Sequence, residues 1–390
     1  METPGRRVLM TAFEPSGDEL GAAVAARLRE LHPDLSICGL GGPRMADAGV
    51  ELIDNTTGHA VMLLPGISQV RLHLRRLRRL KQWLSEHDIA ALVPIDSPGA
   101  NWSICAAVRR ARPEAKIIHL VAPQLWAWAP WRARRMRRLS DHALCLLPFE
   151  KPWFEERGIA ATFVGHPAAA PGYWPAPDEQ LVAALPQGKV KLAILPGSRL
   201  KEIDRNAPIM LDAFSRLQAR HPSLVATVAA FSDALAARLE PMIRQRDGDT
   251  IIPGTIAMRA ARLPEVLRWC DLAVVTSGTA TLHVALHQRP MVAMYRMSRL
   301  QWHLVGRWIV RTRTFTLPNL VAEMDGPRVI EELVPYFGGP AALTAALEPL
   351  VSRPAARRAQ VEALARVTEK FQTADFRETA TRKLIELAGL

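Results

Sequence analysis

Cysteine is scarce and scattered. Cys38, Cys105, Cys145 and Cys270 lie far apart and include no C-x-x-C pair. That spacing supports neither a zinc site nor a disulfide framework, and it points to a reducing compartment. Long hydrophobic runs are missing too. One long uncharged stretch, Leu272 to Gln288, contains Thr, Ser, Gly, His and Gln, short of the ~20 apolar residues that span a bilayer. The apolar run after Arg6 and Arg7 stops at Glu14, too short for a signal-peptide core. These absences lead to the expectation of a soluble or peripheral protein. Acid is in deficit, with 38 Asp and Glu against 50 Lys and Arg, a net charge of +12. Such a balance favours anionic partners: nucleic acid, phosphorylated metabolites or an anionic membrane surface. A genome that writes Arg wherever a solvated cation serves would give part of the same excess.

What is present is an ordinary globular composition, 49% apolar, over 390 residues. At ~100–200 residues per domain that length suggests two domains. Short apolar runs alternate with segments of helical period. "RRVLMTAF", "LSICGLG", "IAALVPID", "AKIIHLVAP" and "HALCLLP" read as strands, and "GDELGAAVAARLREL" and "SICAAVRRA" as helices. After the Pro-, Ala- and Gly-rich "HPAAAPGYWPAPDEQ", a linker candidate, the alternation restarts. Strands "KVKLAILPGSR", "LVATVAAF", "LAVVTSG" and "RPMVAMYRM" bracket helices from about Asn206 to Arg220 and around Asp233 to Arg246. This order implies two doubly wound α/β domains, each with a parallel sheet covered on both faces, and a cleft between them. From about Ala341 the tail reads as helical.

Three loops follow strands and open helices. "FEPSGDELG" (Phe13 to Gly21) leads through a Pro-Ser-Gly turn to Asp18 at a helix start, where free backbone N–H groups suit a ligand or a cap. In "LPGSRLKEI" (Leu195 to Ile203), Gly197 lets the backbone approach a ligand. Ser198 and the following N–H groups face any phosphate there, and Arg199 offers a charge-assisted donor. "TSGTATLH" (Thr276 to His283) repeats the arrangement. Neither of the last two is a Walker A loop or a G-x-G-x-x-G fingerprint, but two such loops in one domain favour a nucleotide diphosphate. "LVPIDSPGANWS" ends an apolar run in the lone carboxylate of Asp96, ahead of Asn101. "RLHLRRLRRLKQWL" (Arg71 to Leu84) sets Leu72, Leu77, Leu80 and Leu84 in one stripe and crowds Arg75, Arg76, Arg78, Arg79 and Lys81 elsewhere. Charge runs are usually solvated faces. The apolar "VMLLPGI" (Val61 to Ile67) just before it makes an anionic membrane surface the sharper reading, at ~1 kcal/mol per cation. "WAWAPWRARRMRR" adds aromatics among arginines, a pattern that suits single-stranded nucleic acid or a membrane interface. No recognised nucleic-acid module accompanies it, so no nucleic-acid partner is expected.

Taken in order, "EPSGDELGA", "GLGGPRM", "IDSP" with Asn101, "IIHLVAPQLWAW", "LLPFEK", "FVGHP", "LPGSR" with Glu202, "SGTATL", "PMVAMYRM" and "LPNLVAE" resemble the lipid-A-disaccharide synthase family, from about Val8 to Val334. The resemblance implies an inverting glycosyltransferase of GT-B architecture on the cytoplasmic face of the inner membrane. It would join UDP-2,3-diacylglucosamine to 2,3-diacylglucosamine 1-phosphate, giving a β-1,6-linked disaccharide 1-phosphate and UDP. It implies no metal and no cofactor, and it allows a homodimer through exchanged C-terminal segments. Asp96 matches the family's acid and is the expected general base, with His119 and Glu14 in reserve. Donor contacts are expected from Gly197, Ser198, Arg199, Glu202, Ser277, Gly278, Thr279, His283 and Asn319. Acceptor contacts are expected from Ser16, Asp18 and Asn101, and the membrane face from Val61, Met62, Leu63, Leu64, Arg75, Arg78 and Arg79. The expected division is an acceptor and membrane-facing domain over 1–170, a linker over 171–188, a UDP-sugar domain over 189–345 and a helical segment over 346–390. The chain departs from the family pattern at Gly99, Ala100, Ala122, Gln124, Ala129 and Ala168 to Ala170, and at His283, where the family has a Glu able to grip the ribose. Another UDP-sugar or acceptor, or a non-catalytic binding role, is the alternative these changes raise.

Overall fold

Strands with consecutive apolar residues rather than strict alternation are buried on both faces, as in parallel sheets. A computed structural model describes residues 7–57, 66–302 and 312–390. Among them are two all-parallel sheets, each in its own compact unit. None of the described helices is long and apolar enough to cross a membrane.

The first unit comprises Met1–Ala170 and Phe371–Leu390. Its strands are β1 (Arg7–Thr11), β2 (Ser36–Gly41), β3 (Glu51–Asn55), β4 (Ala91–Pro94), β5 (Lys116–Leu120), β6 (His142–Cys145) and β7 (Ala161–Phe163). Their order is β3-β2-β1-β4-β5-β6-β7. Successive side chains point to opposite faces. Val8 and Met10 therefore pack with Val24 and Leu28 of the helix Pro15–Leu31, and with Phe376 and Leu384 of the helix Phe376–Ala388. Leu9 faces the other way, beside Leu80 and Leu84 of the helix Gly66–Glu86 and Ile104 and Val108 of the helix Pro98–Ala111. Leu80 and Leu84 are fully buried, each contributing roughly 1.5–3 kcal/mol. The expected cationic face has one exception. Arg76 is buried, ion-paired with Asp54 at 3.2 Å and donating to the Asn55 carbonyl at 2.8 Å. It ties the helix to β3.

The second unit, Pro171–Lys370, holds β8 (Val190–Leu195), β9 (Leu224–Ala230), β10 (Ile256–Ala260), β11 (Leu272–Thr276), β12 (Met291–Arg296) and β13 (Glu331–Tyr336), in the order β10-β9-β8-β11-β12-β13. Met210, Phe214 and Leu217 of the helix Leu200–Arg220 pack on Ile194, Val228 and Val274. Periodicity predicts that helix from about Asn206. It begins at Leu200, because Leu200, Lys201, Asp204 and Arg205 are exposed and give the first turn little apolar face to read. The residues read as one terminal segment, 346–390, are divided. The helix Pro354–Glu369 lies in the second unit and Phe376–Ala388 in the first. Gly165 lets the returning chain pass: at φ +85° it has no Cβ, and a Cβ there would stand 2.1 Å from the Ala374 carbonyl oxygen.

Candidate active site

In open α/β sheets, ligands bind beyond the carboxyl ends of the strands where the strand order reverses. In the first sheet that point lies between β1 and β4, in the second between β8 and β11. The loops that follow these four strands contain Glu14, Asp96, Arg199 and Ser277.

Past the end of β4, Asp96 and Ser97 are both left-handed, at φ +43° and +39°. Each costs of order 1–3 kcal/mol and persists only where its surroundings over-determine it. Asn101 does so here. Its side-chain amide donates to the carbonyls of Ile95 (3.0 Å) and Asp96 (2.9 Å), and its oxygen accepts from Thr11 Oγ1 (2.7 Å). Asn101 is fully buried and engaged in holding β1 to the β4 turn, so the acceptor contact expected of it is not available. The Asp96 amide donates to the Leu120 carbonyl at 3.0 Å, fixing the turn to β5. Burial first, then the nearby Glu14 charge, push the Asp96 carboxyl above the ordinary carboxylate range. Glu14 is exposed, with Ser97 Oγ 3.5 Å from its carboxylate. Gly99 opens on free space, with nothing within 4 Å of where a Cβ would stand.

The other first-unit expectations divide. Ser16 is exposed in the first turn of Pro15–Leu31. Asp18 is buried instead, accepting from the amides of Gly42 (2.7 Å), Arg44 (3.0 Å) and Met45 (3.2 Å). It caps the helix Pro43–Asp47 and leaves no role for the acceptor. His119 lies within β5, wholly buried, and neither ring nitrogen has a hydrogen-bond partner among the described residues. Burial pushes its pKa down to about 3. A ring closed off from solvent does not serve as the reserve base. Arg75, Arg78 and Arg79 are exposed, and no ion pair among the described residues engages them. Val61, Met62, Leu63 and Leu64 lie outside the described residues.

Around β8, Gly197 takes φ +124°, and a Cβ there would stand 2.7 Å from Glu202 Cβ. That close approach lets the Glu202 carboxylate accept from the Ser198 amide at 3.1 Å and pair with Arg199 at 2.9 Å. Glu202 thus holds the amide and guanidinium that were expected to face the donor, while the Arg199 side chain stays 79% exposed. Gly278 and Thr279 are exposed at the start of the helix Thr279–Leu286. Ser277 is tied down, its hydroxyl donating to the Phe315 carbonyl at 2.8 Å. Asn319 is wholly buried, bonded to the backbone of Val329 and Ile330 and to Glu332. It braces β13 rather than offering a donor contact. His283 stands edge-on to Trp174, ring centres 4.8 Å apart, with His287 beside the same indole at 5.1 Å. Burial and then His287 push His283 down to about 4, so its ring is neutral.

Two residues escape the sequence reading. Asn206 is buried and joins three strand ends. Its amide donates to the Pro196 carbonyl (3.4 Å) and Thr276 Oγ1 (3.2 Å), and its oxygen accepts from the Arg296 amide (3.0 Å). Its signal is a polar residue between buried Ile203 and Ala207. Glu150 of "LLPFEK" is buried, accepting from Trp126 Nε1 and the Leu147 amide, both at 3.0 Å. Burial pushes it up to about 7, with the Asp96 charge adding to the rise.

Solved structures share this two-sheet GT-B architecture. The S. aureus MnaA–UDP co-structure aligns with a TM-score of 0.64 at 10% identity, covering 99% of this chain and 98% of that one. The spinosyn forosaminyltransferase SpnP aligns at 0.59 and 15%, covering 99% and 100%. Sequence relatives are nearer. Lipid-A-disaccharide synthase of Anaeromyxobacter sp. (strain K) is 34% identical over 368 residues, 93% of this chain and 92% of the relative. That of Pseudomonas aeruginosa (strain LESB58) is 34% identical over 352 residues, 89% and 90% of the two chains. The family described as lipid-A-disaccharide synthetase matches residues 8–383, so the chain belongs to that family and is a hexosyltransferase.

Proposed function

We propose that this enzyme transfers 2,3-diacylglucosamine from its UDP donor to the 6-hydroxyl of 2,3-diacylglucosamine 1-phosphate, with Asp96 as general base. The observation that carries the reading is a carboxylate at the switch point of the first sheet, partly desolvated and held in a turn that Asn101 and Leu120 fix. Desolvation raises the carboxylate's proton affinity, as a base for a sugar hydroxyl requires. As Asp96 takes the hydroxyl proton, the acceptor oxygen bonds to C1 of the donor. The bond from C1 to the β-phosphate oxygen breaks on the opposite face, which inverts C1 and releases UDP. Charge growing on the departing phosphate meets the Arg199 guanidinium and the first N–H groups of the helices Leu200–Arg220 and Thr279–Leu286. Arriving diphosphate takes the Ser198 amide from Glu202, and Gly197, which has no Cβ, lets it approach the backbone.

The acyl chains have a counterpart on the helix Gly66–Glu86. Val70 and Leu74, 60% and 47% exposed, lie one turn apart among exposed Arg71, Arg75, Arg78 and Arg79. His73 between them meets Phe13, just after β1, at a ring separation of 5.9 Å. The apolar and cationic patch therefore borders the same strand end that carries the site, which suits a peripheral enzyme drawing acylated sugars from an anionic surface.

The test is mass-spectrometric detection of the disaccharide 1-phosphate together with equimolar UDP from the two acyl-sugars. UDP release without disaccharide would break the reading. Reversing the charge at Arg75, Arg78 and Arg79 together should abolish sedimentation with anionic vesicles while UDP binding stays intact. Unchanged sedimentation would make the helix a solvated face.

A further inference from the structure

Beside the donor loops of the second unit lies a cavity of about 530 Å³, lined by Asp204, Arg205, Arg296, Met297, Ser298, Arg299 and Phe337. It opens past the carboxyl ends of β12 and β13, and the first turns of the helix Leu200–Arg220 close one side. Three guanidinium groups line it. Its single carboxylate, Asp204, is turned to Arg238 at 2.8 Å. None of the ion pairs among the described residues engages Arg205, Arg296 or Arg299. Like charges gathered around one cavity repel. Buried Asn206 fixes the geometry, since its oxygen accepts from the Arg296 amide at 3.0 Å while its own position sets that of Arg205 next to it.

We infer that this cavity is a second phosphate subsite, which binds the phosphomonoester of the sugar acceptor and is separate from the loop that takes the donor diphosphate. Three features fit that ligand. A phosphomonoester carries about −1.5 to −2 charges near neutral pH and three acceptor oxygens, and guanidinium groups match those oxygens in pairs. The volume lies within the ~300–1,000 Å³ of small-molecule sites, so it has room for a sugar as well as its phosphate. Phe337, with the Arg299 guanidinium 6.0 Å from its ring centre, supplies an aromatic wall for the apolar face of a pyranose ring. The lining shares no residue with Gly197–Arg199 or Ser277–Thr279. A phosphate other than the donor diphosphate therefore suits it, and in the reaction proposed above that is the acceptor's 1-phosphate. The assignment rests on that reading.

The experiment compares the parent enzyme with the double variant Arg205→Ala/Arg299→Ala, both side chains being exposed. Calorimetry with glucosamine 1-phosphate and, separately, with UDP reads binding without catalysis. The double variant should lose at least tenfold in affinity for the sugar phosphate and change less than twofold for UDP. In turnover assays the parent should prefer the acceptor bearing its 1-phosphate over the dephosphorylated acceptor, and the variant should lose most of that preference through KM. Equal sugar-phosphate affinity in parent and variant would overturn the subsite. A parallel fall in UDP affinity would overturn it too, by giving the arginines to the donor diphosphate. If the parent forms no disaccharide, the reaction assignment fails on its own, and the binding arm still reads the cavity.

Discussion

At the carboxyl end of β4, Asp96 stands on a turn held mainly from inside: Asn101, Thr11 and the Leu120 carbonyl are all buried. At the corresponding end of β8, Arg199 reaches into solvent and keeps one partner, Glu202. The sheets are alike, and the same topological position is used in both, but one delivers a withdrawn acid and the other an exposed cation. The difference fits the roles proposed for the two groups. A base has to be partly desolvated and held still to accept a proton from a hydroxyl. A cation that captures diphosphate works from the surface, where it can exchange a resident carboxylate for an incoming phosphate.

The strongest way to break this comparison is Asp96→Asn. Turnover should fall by about 10²–10⁴-fold, the usual worth of general-base catalysis, with UDP affinity unchanged by calorimetry. Near-parental turnover would move the base elsewhere. Next comes the support beneath it. Asn101→Ala leaves Thr11 Oγ1 and two carbonyls without their partner, so urea unfolding should show a loss of about 3 kcal/mol. A loss under about 1 kcal/mol would mean the turn holds without its internal ties. On the other sheet, Arg199→Ala should weaken UDP by about 1.5 kcal/mol, the lower end for a charged hydrogen bond because the side chain is exposed. No change would remove Arg199 from the site. The smallest effect sharpens the comparison rather than breaking it. Asp96 must be ionised to act, and burial and Glu14 hold its pKa above the usual carboxylate range. As pH falls, activity is therefore lost earlier than for an ordinary carboxylate. Glu14→Gln removes the like charge and leaves the burial, so the acid limb of kcat/KM should move to lower pH. A shift the other way would refute the electrostatic link.

Legibility in the sequence follows the same contrast between inside and outside. Every central strand, from β1 and β4 to β8 and β11, is a run of apolar residues that announces itself. The four strands without a clear signal, β3, β7, β10 and β13, are the four sheet edges. An edge strand has one neighbour instead of two, so β10 is only half-buried and β13 tolerates two Glu and a Pro. Near the proposed site, the position of Asp96 is legible as a single acid closing an apolar run, and the structure places it past the end of β4 at the switch point of the sheet. Asp18, Asn101 and Asn319 are polar residues near helix starts whose side chains turn inward. A sequence shows that a polar group lies near a strand end but not which way it faces, and inward-facing amides and carboxylates are the ties that shape such loops. His119 is buried because β5 is covered on both faces: Ile117, Ile118 and Leu120 beside it are buried as well, so either parity puts the ring inside.

The return of the helix Phe376–Ala388 to the first sheet bears on how the protein is made. The ribosome completes β1 to β7 and then about 200 further residues, Pro171–Lys370, before that helix emerges. At ~5–20 residues per second this takes ~10–40 s. Throughout that interval Val8, Met10, Ile118 and Leu120 lack the cover of Phe376, Ala380 and Leu384. The nascent first unit thus waits with part of an apolar sheet face exposed, a surface that a holdase chaperone can occupy and that the arriving helix must reclaim.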